Sequence, residues 1–270
     1  MKHLFLALLA GVCLGFSTKA RTADPQQVTY STTSDGLALK GYLYLPKGHG
    51  PFPAVLWNHG SERLLGTKQP DLAGFYTSHG FVFFLPNRRG HGLSPGPYIM
   101  DKIRQDSFLG FLGGNRKIVE LQEQANLDVA AGVSWLSSQS FVDPKRIVMS
   151  GCSFGGIQTL LAAEKPLGVR AYVAFAPGAE SWGNGALRER LLKAVLNAQA
   201  PVFILQAAND YNLGPVETLG PEAEKKGGLA KKYPAFGTTH PDGHWRFATL
   251  PGGIAMWGPD VLAFIHRCLK

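Results

Sequence analysis

Ser153, Asp210 and His244 stand in the order serine, acid, histidine along a chain of 270 residues. Serine is a poor nucleophile at neutral pH. A histidine that takes its proton, and an acid that orients the histidine, turn it into an effective one. Ser153 lies in Gly151-Cys152-Ser153-Phe154-Gly155-Gly156, a Gly-x-Ser-x-Gly pattern between the apolar run Ile147 to Met149 and the amphipathic start Ile157 to Leu161. Small neighbours let strand and helix backbones approach closely at a sharp turn, and such a turn lifts the hydroxyl out of the sheet. The helix N-terminus then favours negative charge that develops there. A glycine-rich strand–helix turn without chemistry has the same short pattern, so the surrounding elements must decide.

Each member has a competitor. Asn209-Asp210 is also ordinary turn chemistry. Asp242 lies two residues from His244, where local geometry hinders an orienting bond. His240 competes as the base, although Gly243 permits a tight loop that presents the His244 imidazole. The spacing His240-x-x-x-His244 suits a metal only on a helix face. Here it falls in a Pro/Gly loop with no third ligand, so no metal is expected. Cys152 is a rival nucleophile, but one place early, where a side chain is directed elsewhere. An acyl-transfer oxyanion needs two backbone N–H donors, for which Phe154 and Ser61, in His59-Gly60-Ser61, are the candidates. His59 itself reads as a buried structural histidine, and His79, His91 and His266 as helix-end, loop and surface residues. Tyr98, Phe111, Trp182 and Trp245 are candidates for substrate contact.

These residues need a scaffold. Val28 to Ser34 and Leu37 to Leu45 alternate apolar and polar residues around Asp35-Gly36, which reads as a hairpin. Ala54 to Trp57, Phe81 to Leu85, Ala171 to Phe175 and Pro201 to Gln206 are continuous apolar runs, as in strands buried on both faces. With the strand before Ser153 and a weaker one over Lys232 to Phe236, the count is eight. Helical patterns over Asp71 to Ser78, Ile118 to Leu136, Leu187 to Asn197, Pro215 to Lys226 and Ile254 to Arg267 alternate with the strands. The Gly/Pro-rich residues 95–115 read as a flap or a long loop. The fold class is therefore α/β, a mostly parallel eight-stranded sheet with helices on both faces. In such sheets sites form at the carboxyl ends of the strands, where Ser153, Asp210 and His244 all fall.

Asn58-His59-Gly60, Arg88-Arg89-Gly90-His91-Gly92-Leu93-Ser94, Asp143-Pro144-Lys145-Arg146-Ile147, the Ser153 motif and Gly243-His244 together resemble the α/β-hydrolase superfamily. The dienelactone hydrolase and prolyl-oligopeptidase-like branch is the nearest in pattern. The resemblance runs from about residue 28 to the C-terminus and implies the α/β-hydrolase fold with a Ser153–His244–Asp210 triad. Dienelactone hydrolases carry cysteine at the nucleophile position, where this chain has Ser153. The oligopeptidases carry a large N-terminal propeller, for which this chain has no room. The expectation is a serine hydrolase that cleaves an ester or related acyl bond of a small molecule, without a cofactor. A small peptidase or amidase, lactone hydrolysis of the dienelactone type, and a non-catalytic binding protein of the same fold are the alternatives.

Composition bounds the rest. With 45% hydrophobic residues the chain can bury one large core. Met1-Lys2-His3, the apolar stretch Leu4 to Phe16 and the small residues up to Ala20 read as a secretory signal over 1–20, too short to span a bilayer comfortably. The expectation is one catalytic domain over 21–270, periplasmic or secreted, with no stable membrane insertion after cleavage. Removing Lys2 and Lys19, and no acid, lowers the net charge from +8 to +6. That charge is scattered, without basic and aromatic residues interleaved, so no nucleic-acid partner is expected. Cys13 leaves with the signal, and Cys152 and Cys268 are expected as free thiols.

Overall fold

Eight strands make one sheet in the order β1-β2-β4-β3-β5-β6-β7-β8, with β1 antiparallel to β2, β2 antiparallel to β4, and the others parallel. The strands are β1 (Gln26–Thr32), β2 (Ala38–Tyr44), β3 (Phe52–Asn58), β4 (Val82–Pro86), β5 (Val142–Cys152), β6 (Ala171–Phe175), β7 (Val202–Ala207) and β8 (Leu229–Tyr233). In this computed structural model the described residues are 24–64, 68–109 and 114–270, with the backbone alone at 105–109 and 114–115. The expected signal over 1–20 and the candidate Phe111 lie outside them.

The continuous apolar strands are explained by the two layers they serve. In β3, Ala54 and Leu56 face one core while Val55 and Trp57 face the other; in β5, Ile147 and Met149 oppose Val148 and Cys152. The first core is closed by α3 (Gly114–Ser137), α4 (Phe154–Ala163), α5 (Gly185–Leu196) and α6 (Gly220–Lys225), through residues such as Val129, Leu160, Leu191 and Ala223. The second is closed by α1 (Pro70–Ser78), α7 (Phe247–Thr249) and α8 (Pro251–Cys268), through Leu72, Tyr76, Phe247, Trp257 and Phe264. Burying large side chains on both faces stabilises each by about 1.5–3 kcal/mol. No helix among the described residues is long and apolar enough to cross a membrane. Cys152 and Cys268 are free thiols.

Three expected elements differ. The segment 95–115 carries a helix, α2 (Ile99–Leu109), where a flap or loop was expected. Ile99, Met100 and Ile103 give it an apolar side that packs on Leu121, Ala125 and Phe154. Strand β8 begins and ends three residues before the expected 232–236, because Pro234 has no N–H for the ladder. Residues 242–246, expected as loop, form a wide π-helical turn that runs into α7.

Candidate active site

The elbow between β5 and α4 puts Ser153 at φ 59° and ψ −117°, a conformation that L-residues seldom adopt. Such backbone is held only where its surroundings over-determine it. Here the Ser153 N–H donates to the Phe175 carbonyl at 3.0 Å, and the Ser153 carbonyl accepts from Ile157 N–H at 3.0 Å and Gly178 N–H at 3.3 Å. Gly155 makes the turn possible by close approach: a Cβ there would lie 1.9 Å from the Asn58 carbonyl oxygen. The strain thus sits at the serine, and the glycine supplies the room.

Across the sheet edge, β7 ends at Ala207 and delivers Asp210. His244 Nδ1 lies 2.7 Å from Asp210 Oδ1, and both side chains are buried. Asp210 accepts two further bonds, from Tyr211 N–H to Oδ1 at 2.7 Å and from Gln206 Nε2 to Oδ2 at 2.8 Å. With its carboxylate so filled, Asp210 accepts the Nδ1 proton and leaves Nε2 without one. His244 Nε2 is enclosed and has no partner among the described residues. The turn reaches Asp210 because residue 243 is glycine: a Cβ there would lie 2.4 Å from Asn209 Oδ1. Gly243 therefore acts by close approach rather than by loosening a loop.

The competitors are occupied elsewhere. Asp242 accepts from Thr238 N–H, from Thr239 N–H and Oγ1, and from Arg246, which together hold its carboxyl well below the usual carboxylate range. His240 is exposed, with Nδ1 3.0 Å from the Asn209 carbonyl. Although 240 and 244 lie on a helical turn after all, among the described residues no group of three His, Cys, Asp or Glu side chains is placed to hold a metal ion. Burial, and then the nearby acids Asp210, Glu62 and Glu180, push the Cys152 thiol well up, away from the reactive thiolate.

The opposite wall is built from the loops after β3 and β4. Arg88 is buried, and its Nη2 donates to the carbonyls of His59 at 2.9 Å and Gly60 at 2.8 Å. His59 Nδ1 is also 3.0 Å from the Gly60 carbonyl, while His59 Nε2 accepts from Arg88 N–H at 3.3 Å. One neutral tautomer, protonated at Nδ1, satisfies both contacts. Burial first, then Arg88, hold the His59 pKa well below its ordinary value, in keeping with that neutral ring. In a trans peptide the C=O and N–H point opposite ways, so gripping the Gly60 carbonyl aims Ser61 N–H away from Arg88. Neither Ser61 N–H nor Phe154 N–H has a hydrogen-bond acceptor among the described residues.

A cavity of about 490 Å³ opens between these walls, lined by Ser61, Glu62, Ser153, Glu180, His244 and Trp245 among others. Trp245 is the expected aromatic that reaches it. Tyr98 does not: its hydroxyl donates to the Ser61 carbonyl, which makes it a prop of the loop. Trp182 is buried in the first core against Gly214, away from the cavity. Glu62 and Glu180 were missed, though Glu62 directly follows Ser61 in sequence. Burial raises the Glu62 pKa.

The family model described as X-Pro dipeptidyl-peptidase (S15 family) matches residues 35–212. The polyketide transferase grgF of Penicillium sp is 30% identical over 176 residues, covering 65% of this chain and 53% of that protein. The thiohydrolase aneE of Aspergillus aculeatus is 27% identical over 210 residues, covering 76% and 59%. The chain thus spans little more than half the length of these two relatives. Among solved structures, a Pyrococcus furiosus esterase superposes with TM-score 0.64 at 17% identity, over 92% of this chain and 91% of that one. The Pyrococcus horikoshii acylaminoacyl peptidase gives 0.67 at 17% identity, over 93% and 43%. At such identities the likeness is one of fold.

Proposed function

From a chain that belongs to the X-Pro dipeptidyl-peptidase (S15) family, in the prolyl-oligopeptidase-like branch of the α/β-hydrolases, we propose a serine hydrolase that cleaves a carboxylic ester or related acyl bond. The observation that carries this reading is the His244 imidazole, which lines the same cavity as Ser153, is bonded through Nδ1 to Asp210, and keeps Nε2 without a partner among the described residues. His244 Nε2 takes the Ser153 proton as Oγ attacks the acyl carbon. Asp210 holds the ring and stabilises the imidazolium that results. Ser61 and Phe154 N–H groups receive the oxyanion, each worth about 2.7–4 kcal/mol in the transition state. The imidazolium then protonates the leaving group, and water attacks the acyl-enzyme by the same relay run again.

The test is p-nitrophenyl acetate hydrolysis and fluorophosphonate labelling of wild type and Ser153→Ala. Turnover and labelling in the wild type, both lost in the variant, are expected. A wild type that neither hydrolyses nor labels would sink the reading.

A second reading, peptide amide hydrolysis by the same residues, is favoured by the family description and by two carboxylates, Glu62 and Glu180, at the cavity. Carboxylates of this kind suit a peptide's free amine. Faster cleavage of an alanyl-prolyl p-nitroanilide than of the ester would select it. We also propose that residues 1–20 direct export and are removed; the N-terminal mass of the exported protein tests this.

A further inference from the structure

Two openings meet at Ser153, and they differ in the residue that decides direction. The larger, of about 490 Å³, includes His244. The smaller, of about 60 Å³, is lined by Ser153 and Phe154 together with Met100, Ile103, Ile118, Ile157 and Gln122, shares Ser61 and Glu180 with the larger, and lacks His244. This difference can be read through the chemistry of the tetrahedral carbon. Besides Ser153 Oγ, that carbon carries an oxyanion, a leaving group and an acyl substituent. The oxyanion goes to Ser61 and Phe154 N–H. The leaving group must face His244 Nε2, which gives it a proton. The acyl substituent has the remaining direction, toward the opening without the histidine.

We propose that the small pocket beneath α2 is the acyl site and that it restricts this enzyme to short acyl groups, while the larger cavity takes a bulky leaving group. The inference rests on the serine-hydrolase reading above and names its substrate class. A pocket of about 60 Å³, where about 10–15 Å³ suffices for one water, holds about four to six heavy atoms beyond the carbonyl carbon. One wall is packed. Ile99, Met100 and Ile103 of α2 pack on Leu121 and Ala125 of α3 and on Phe154. Of its polar members beside Ser153, which are Ser61, Gln122, Glu180 and Ser181, Gln122 accepts from Gln158 Nε2 at both its carbonyl and its side-chain oxygen. Gln158 Oε1 accepts in turn from Asn126 Nδ2 at 2.9 Å. A longer chain that met this wall would have to displace the packed set, and overpacking is costly.

The experiment is kcat/KM for the p-nitrophenyl acetate, butyrate and octanoate series, in wild type and in Ile103→Ala and Ile118→Ala. In the wild type, acetate or butyrate should exceed octanoate by about tenfold or more, the discrimination that a few methylenes give in an apolar pocket. Either alanine variant should raise octanoate relative to acetate at least about fivefold, by the same pocket-size argument. Octanoate preferred by the wild type, or a ratio unmoved in both folded variants, overturns the proposal. Should an alanine variant not fold, the Ile→Val change at the same position and the wild-type series decide. Loss of all ester hydrolysis together with loss of fluorophosphonate labelling marks failure of the underlying reading instead. Labelling with long-chain preference marks failure of this inference alone.

Discussion

The two walls of the cleft reach the same end with opposite charges. On the wall proposed for acid–base work a buried carboxylate, Asp210, accepts from Gln206, Tyr211 and His244, and the other imidazole nitrogen is left enclosed without a partner among the described residues. On the oxyanion wall a buried cation, Arg88, donates to the His59 and Gly60 carbonyls, and the Ser61 N–H is left without an acceptor. In both cases one end of a polar group is saturated so that the other end is aimed. Arg89, the next residue, shows what an ordinary arginine does: it spans from the β4 loop to α3, with Nη2 2.6 Å from Asp128 Oδ1 and Nε 3.0 Å from Oδ2. Arg88 has no such carboxylate partner among the described residues, and two of its nitrogens, Nε and Nη1, are enclosed without partners. Burial pulls its pKa down to about 10, which still leaves a cation at neutral pH.

Breaking the acid–base wall should cost most. Asp210→Asn presents an amide N–H to His244 Nδ1 and moves the imidazole proton to the wrong nitrogen. Turnover of p-nitrophenyl acetate should fall about 10⁴-fold, with the melting temperature changed by only a few degrees. Breaking the oxyanion wall comes next. Arg88→Met frees the Gly60 carbonyl, and kcat should fall about 10²–10³-fold, as when one oxyanion donor is lost, while KM stays within about threefold. Arg89→Met separates the two arginines: it should lower stability in urea by about 3 kcal/mol, because Asp128 is left buried, yet leave turnover per folded molecule unchanged.

Acid sharpens the comparison further. His91 packs 4.7 Å from the His59 ring, and burial, reinforced by Arg88, lowers its pKa from 6.5 to about 3. The unfolded chain takes up a proton near pH 6.5 that the folded chain refuses until about pH 3. Its contribution to stability is therefore whole above pH 6.5 and is lost as pH falls toward 3. The melting temperature should drop over that window, and less steeply in His91→Gln. The smallest effect belongs to Cys152→Ala. With a thiol held protonated by burial, turnover should stay within about threefold, and a large loss in a folded variant would make the cysteine the nucleophile.

The sheet was legible because its buried strands are short runs of large apolar residues with turns between them. The placing of Ser153, Asp210 and His244 after buried strands was legible because the apolar runs that precede them are. Direction was not. Tyr98 and Trp182 are aromatic and near the right loops, but residue type does not say whether a ring turns to the cavity or away from it. The partner of His59 was hidden as well, since Arg88 is 29 residues distant and meets it only because β4 lies beside β3 in the sheet. Pro234 is itself a signal in the sequence against a strand over 232–236, since it has no N–H to give to a ladder.

The wide turn at 242–246 has a consequence for how this site can change. A π-helical turn holds about one residue more than an α-helical turn of the same span. The bearing of His244 toward Asp210 is therefore stored as a count of residues as well as in the glycine at 243. Loss of a single codon between 241 and 243 would swing the imidazole by about 100° around the helix axis, the angle between successive residues of an α-helix. Ser153, Asp210 and His244 would all still be present in such a chain, and a motif search would still find them.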